Sequence, residues 1–226
     1  TSEYGSYTSP LFCDALGKRL ADEHGRSAVT ASLREIKVYT TFPHRCSYLE
    51  GEEATTLFVD PRQKLSQELY TQLSLLGFRR SGDHVYRPHC ARCSACIASR
   101  VRVKEFEPGR TQKRISRRNA DLRVEQSDSI LDDEAYSLYR YYIESRHADG
   151  DMYPPERDQY ESFLNDGLGC AIYYRLYQGN KLVAVTVADR MLDGLAAIYS
   201  FFDPDQPQRS LGTVSYTHLT LPTRRF

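Results

Sequence analysis

The first sustained patterning lies in two short stretches, Leu33–Tyr39 (LREIKVY) and Ala54–Asp60 (ATTLFVD), rich in β-branched and aromatic residues and read as strands with a loop over Pro43–Tyr48 between them. Leu65, Leu69, Leu73 and Leu76 then recur at helical spacing and stop at Gly77, which predicts a helix over 65–76. Residues 84–106 read as strand, cysteine knuckle and strand, residues 110–119 as a basic helix, and residues 122–124 as a short strand. Asp132–Arg146 has an acidic first turn and a basic last turn, as the helix dipole favours, and Pro154-Pro155 opens another helix that runs to about Leu164. Three apolar runs follow, Cys170–Tyr177, Lys181–Arg190 and Leu195–Phe202, separated by Gln178-Gly179-Asn180 and Asp193-Gly194. Those separators are hairpin chemistry, so the runs predict an antiparallel meander. A further helix can open near Gln208–Gly212. The fold class is α+β, with helices on one face of the meander.

The ends of the chain are patterned differently. Residues 1–29 show only a short helical patch at Leu16, Leu20 and Ala21 and are read as an upstream extension, with Val29 a candidate start. The strands, knuckle and basic helix divide the rest into a cysteine-bearing, basic domain over 30–123 and a second domain over 124–212.

Composition changes the picture through distribution. The 30 Lys and Arg balance 30 Asp and Glu. Residues 79–123, however, carry 13 basic against 4 acidic side chains, and residues 124–170 carry 3 against 12. A basic block followed by an acidic one points to a polyanionic partner. No apolar run is long enough for a membrane span or a signal peptide, so a cytoplasmic protein is expected. Six cysteines in a reducing compartment point to metal or thiol chemistry rather than disulfides.

Four clusters carry candidate chemistry. Cys90, Cys93 and Cys96 form a C-x2-C-x2-C run, with Cys46 available as a fourth thiolate; the set suits zinc or an iron–sulfur cluster, and buried free thiols are the alternative. Cys13 and Cys170 stand alone and read as packing residues. Arg100, Arg102, Lys104, Arg110, Lys113, Arg114, Arg117 and Arg118 surround Phe106 almost without acidic partners, a pattern that neutralises phosphates. Arg146, His147, Asp149 and Asp151 crowd a helix end and turn where a charged substrate can bind or a proton can move. Arg209-Ser210-Leu211-Gly212 is half of the phosphate loop that acyl-CoA N-acetyltransferases place at a helix N-terminus.

FPHRCSYLEGEEATTLFVDP, LGFRRSGDHVYRPHCARCSAC, SRRNADL, YYIESRHADGDMYPP and YSFFDPDQPQRSLG occur in that order between Phe42 and Gly212. In these motifs the chain resembles the bacterial aspartate/glutamate leucyltransferases, relatives of the arginyl-tRNA–protein transferases. The resemblance implies an aminoacyltransferase that moves leucine, or arginine, from charged tRNA to the α-amine of proteins beginning with Asp or Glu, in the N-degron pathway of protein degradation. It also implies a cysteine-bearing N-terminal domain joined to an acetyltransferase-like (GNAT-like) domain, with Cys46, Cys90, Cys93 and Cys96 at positions linked in relatives to an iron–sulfur cluster or zinc. The transfer chemistry itself needs no cofactor.

An aminoacyl ester is already activated, so the reaction needs two substrates brought together, an amine deprotonated and an oxyanion stabilised. The expected assignment gives the tRNA acceptor end to the basic block, the acceptor carboxylate to Arg146 or to Arg79 and Arg80, and the amine proton to His147 or Asp203. Asp149, Asp151, Arg209 and Gly212 complete the expected substrate site. After Gly212 the resemblance ends, and residues 213–226 read as an artefactual tail of a truncated or chimeric chain, which would leave the meander with an exposed edge and an uncovered apolar face. The competing readings are an acyl-CoA N-acetyltransferase and a zinc-knuckle RNA-binding module.

Overall fold

The structure is a computed structural model that describes residues 5–6 and 36–220. The helical patch at Leu16–Ala21 and the first part of the predicted strand at Leu33 lie outside the described residues. The chain divides into two units, residues 1–98 and 99–226. The division falls ahead of the basic helix, not behind it at residue 123, because Ile115 and Leu122 are buried in the core of the second unit.

In the first unit, β1 (Gly5–Ser6), β2 (Val38–Thr40), β5 (Thr56–Val59), β7 (His84–Pro88) and β6 (Arg79–Ser81) form an antiparallel sheet in that spatial order. A ribbon of β3 (His44–Arg45) and β4 (Glu53–Ala54) stands apart from it. Helix α1 (Gln67–Leu75) starts where Ser66 accepts the Leu69 N–H at 3.2 Å. Its Leu69, Tyr70 and Leu73 are buried, as are Leu57, Val59, Phe78 and Val85.

The strand predicted after the knuckle does not form. Residues 97–102 are irregular and all exposed, with Ile97 80 % and Val101 56 % accessible. Alternating Arg100-Val101-Arg102-Val103 has the period of a strand, but among the described residues this stretch joins no sheet.

The second unit is built on a four-stranded antiparallel sheet in the order β11 (Leu195–Phe202), β10 (Lys181–Arg190), β9 (Ala171–Gln178), β8 (Leu122–Ser127). Its helices cover both faces, not one. On one side α3 (Asp133–Arg146) and α4 (Arg157–Leu164) bury Tyr139, Tyr142, Ile143, Tyr160 and Leu164 against Tyr173, Val185, Val187 and Phe201. On the other, α2 (Arg110–Arg118) and α5 (Leu211–Thr220) bury Ile115, Leu211, Val214 and Leu219 against Ile172, Tyr174, Leu176, Val183 and Ala188. The physical reason is legible in β10: from Leu182 to Asp189 every residue is buried, which only a strand covered on both faces requires. The apolar face expected to be bare is therefore covered, by α5.

Two bulges adjust the sheet. Leu182 pairs with Tyr177 and Ala184 with Leu176, so Val183 is extra in β10; consistent with that, Val183 and Ala184 both join the α2/α5 side. Val187 pairs with Tyr199 and Ala188 with Ala197, which leaves Ile198 extra in β11. Two buried tyrosines are anchored by their hydroxyls, Tyr160 donating to the Ile130 carbonyl at 2.7 Å and Tyr173 to Leu164 at 2.8 Å. Helix α3 is capped by Asp132, whose Oδ1 accepts the Ala135 N–H at 2.9 Å and whose Oδ2 pairs with Arg175.

Candidate active site

Three segments of the second unit converge at the C-terminal end of α3. His147 caps that helix, its N–H donating to the Ile143 carbonyl at 2.9 Å and its own carbonyl accepting from Gly150 at 3.1 Å. The imidazole lies 5.1 Å from the Tyr142 ring, centroid to centroid, with Nε2 3.1 Å from the Tyr142 hydroxyl. Tyr142 in turn packs on Phe202 at 4.9 Å, and the exposed Arg146 guanidinium lies over the Phe202 ring at 5.8 Å. Burial pushes the Tyr142 phenol up, so it stays protonated through the neutral range.

Gly212 completes the assembly from α5. A Cβ at this position would stand 3.0 Å from a Phe202 ring carbon. The glycine that the sequence suggested as half of a phosphate loop thus admits an aromatic ring. The acidic turn that follows His147 is exposed at Asp149 and Asp151; the Asp151 carbonyl accepts from Gln159 at 3.4 Å. Deeper under the turn, the Tyr199 hydroxyl donates to Met152 Sδ at 3.6 Å.

Asp203 is only 3 % exposed and fully engaged. Oδ1 accepts the Asp205 N–H at 3.0 Å, and Oδ2 accepts from Lys181 at 2.7 Å and Gln206 at 3.2 Å. Burial alone would raise this carboxyl, but these donors, with Lys181 foremost, outweigh it and hold it below its ordinary range. A depressed carboxyl contributes stability that is complete above the unfolded-state pKa, about 3.9, and is lost as pH falls through the folded value. Asp203→Asn is therefore expected to lose about 1–3 kcal/mol of unfolding free energy at pH 7. The deficit relative to the parent should shrink below about pH 4, as read by urea unfolding at both pH values; a constant deficit would show that the carboxylate's charge is immaterial.

Arg209 is likewise committed. Its guanidinium grips Asp121 with two bonds of 2.9 Å and reaches Asn119 Oδ1 at 3.3 Å. The Asn119 amide answers by donating to the Arg209 carbonyl at 2.8 Å and to Ile115 at 2.9 Å, and Arg118 donates to the Gln208 carbonyl. Arg209 therefore ties the turn over 207–209 to the end of α2, leaving little of the guanidinium for a substrate anion. Ser210 follows in the left-handed region at φ 53°, and its carbonyl accepts the N–H groups of Thr213 and Val214 as α5 begins.

The basic residues are spread over α2 and the segment before it. Arg110, Lys113, Arg114, Arg117 and Arg118 are exposed, while Ile115 and Asn119 anchor the helix. Pro108, Lys113, Ser116 and Arg117 line a depression of about 250 Å³. Ahead of it, Arg102 pairs with Glu105 at 3.2 Å, and Arg100 and Lys104 are exposed.

The remaining predicted residues lie in the first unit. Arg79 is exposed, with its guanidinium 5.5 Å from the Tyr86 ring centroid, and Arg80 is buried and donates toward the Gly82 carbonyl at 3.5 Å. Cys46, Cys90, Cys93 and Cys96 are free thiols. Cys46 N–H donates to the Glu52 carbonyl and Cys90 Sγ lies 3.8 Å from the Thr55 carbonyl. Among the described residues no three His, Cys, Asp or Glu side chains are drawn together as a metal-ligand group.

Tyr142, Lys181, Asn119 and Asp121 were not singled out from sequence. Tyr142 carried a weak signal, sharing the helical apolar spacing of Ala135, Leu138 and Tyr139. The other three meet partners 22 to 90 residues away, which no local pattern marks.

Residues 44–114 match the family model described as arginine-tRNA-protein transferase, N terminus, and residues 134–224 match its C-terminal counterpart. The second match thus runs past Gly212. A protein of Pseudomonas aeruginosa (strain LESB58) named aspartate/glutamate leucyltransferase is 53 % identical over 180 residues, which is 80 % of this chain and 77 % of that protein. Proteins of the same name from Stutzerimonas stutzeri (strain A1501) and Pseudomonas syringae pv. tomato are 53 % and 50 % identical over 181 and 180 residues, with the same shares covered. Among the described residues no helix is long and apolar enough to cross a membrane.

Proposed function

Since the chain belongs to the arginine-tRNA–protein transferase family and is accordingly an enzyme of aminoacyl transfer from tRNA to protein, we propose that it transfers leucine to proteins beginning with aspartate or glutamate. The observation that carries this reading is the 53 % identity to proteins named for that donor and those acceptors. On the same resemblance, the transfer marks its acceptors for the N-degron pathway, in the cytoplasm.

The site suits the chemistry. The α-amine of an acceptor has a pKa of about 7.7–8.0 and must lose a proton to attack the ester carbonyl. That first proton leaves to solvent, and His147 takes the one the nitrogen sheds as it bonds the carbonyl carbon, at the mouth of the Tyr142–Phe202 aromatic wall. Arg146, exposed and without a carboxylate partner among the described residues, pairs with the side-chain carboxylate of the acceptor. Asp203 and Arg209 hold the turn between β11 and α5, and the exposed cations of α2 meet the phosphates of the tRNA acceptor end.

The test is transfer of labelled leucine, and separately arginine, from charged tRNA to peptides beginning with Asp, Glu or Ala. Leucine is expected on the Asp and Glu peptides alone. Arginine transfer, or equal labelling of the Ala peptide, would overturn the donor or acceptor assignment respectively.

A further inference from the structure

The His147 imidazole is fixed by one polar contact, that of Nε2 with the Tyr142 hydroxyl at 3.1 Å, and among the described residues its Nδ1 has no hydrogen-bond partner. A neutral imidazole carries its proton on only one nitrogen, so this contact decides which nitrogen can act. If Nε2 carries the proton, the hydroxyl accepts it and Nδ1 keeps a free lone pair. If Nδ1 carries it, the hydroxyl donates to Nε2 and the ring presents no acceptor to a substrate.

We propose that Tyr142 is a positioning residue of the transfer reaction, its hydroxyl accepting from Nε2–H of His147 so that the Nδ1 lone pair is the one offered to the acceptor amine. The proposal rests on His147 being the proton acceptor. Tyr142 is built to hold a fixed position. It is 9 % exposed, sits on the last turns of α3, and is backed by the Phe202 ring, which the missing Cβ of Gly212 lets approach. Three elements distant in sequence thereby set one hydroxyl.

The step balances without an oxidant or a cofactor. The amine nitrogen bonds the ester carbonyl carbon, the bond from that carbon to the ribose oxygen breaks, and the amine proton passes to Nδ1. Nε2–H remains held by the Tyr142 oxygen, which stabilises the imidazolium. The Nδ1 proton is then returned to the departing ribose oxygen.

The test is the nitrogen-15 spectrum of the His147 ring in the full chain, combined with kinetics of two variants. The parent is expected to hold neutral His147 as the Nε2–H tautomer; a neutral Nδ1–H tautomer overturns the proposal and needs no variant that folds. Tyr142→Phe keeps the ring against Phe202, and is expected to mix the tautomers and lower kcat about 10- to 100-fold with KM unchanged. Added to His147→Ala it should lower kcat no further, because the two act as a unit. Additive losses, or unaltered tautomer and kcat in Tyr142→Phe, overturn the role of Tyr142. Full activity of His147→Ala overturns the base assignment instead, and the parent's tautomer still reports on Tyr142 separately.

Discussion

Removing the imidazole at position 147 is expected to lower kcat for transfer by about 10²–10⁴-fold, the range that a general base contributes, while KM for the acceptor peptide changes little. The expectation is specific because the position is undemanding structurally. His147 is partly exposed, its backbone N–H and carbonyl make the helix-ending bonds, and alanine preserves both. What alanine removes is the ring tilted against Tyr142 at 5.1 Å and its Nε2 contact, worth about 1 kcal/mol or less in stability. A His147→Ala protein should therefore unfold near the parent's midpoint yet transfer slowly, and millimolar imidazole should restore part of the rate. Unimpaired kcat with a normal unfolding midpoint would remove His147 from the chemistry. Asp203→Asn is the contrasting variant: its carboxylate is consumed by Lys181, Gln206 and the Asp205 N–H, so its loss should appear in stability before it appears in kcat.

The same contrast explains what could be read from the chain alone. Helices α1, α3 and α4 and the meander were legible because each rests on a local period with a local stop, such as Asp132 ahead of α3 or Gly179 between β9 and β10. The covering of both sheet faces was also encoded, in the stretch Leu182–Ala188 of β10 that is apolar but for Thr186, but the hairpin signals around it suggested an ordinary half-buried meander. Val101 and Val103 misled because period two predicts a strand only where a partner strand exists. At the candidate site, His147 and Arg146 stand out by their chemistry and the structure brings them to one helix end, while Gly212 has a reason that sequence does not show: it admits the Phe202 ring. Arg209 was read as an anion binder because its partner, Asp121, lies 88 residues away and a lone arginine beside a glycine resembles a phosphate loop. Charge chemistry is visible in sequence; whether a charge is already spent on a distant partner is not.

Helix α2 is where that distinction should have its largest effect on binding. Among the described residues Arg110, Lys113, Arg114 and Arg117 have no carboxylate partner, so their charge is available to an incoming polyanion. Changing Lys113, Arg114 and Arg117 together to Glu reverses the sign of this face. Affinity for aminoacyl-tRNA at about 0.1 M salt is then expected to fall by about 100-fold or more, because phosphates go unneutralised and the new carboxylates repel them. The Gln variant of the same three positions separates the two contributions. It removes the positive charge without adding repulsion, so its log affinity should fall less steeply with log salt than the parent's, by about 0.7–0.9 for each phosphate no longer neutralised. Neither variant touches Ile115 or Asn119, which hold the helix to the sheet and to the 207–209 turn, so the unfolding midpoint should move little. On the proposed division, in which the three side chains meet tRNA and His147 takes the proton, kcat at saturating tRNA should be preserved. An unchanged salt slope in the Gln variant would mean that the phosphates are met elsewhere, and the exposed charge of α2 would then be a solvated face with no part in the reaction.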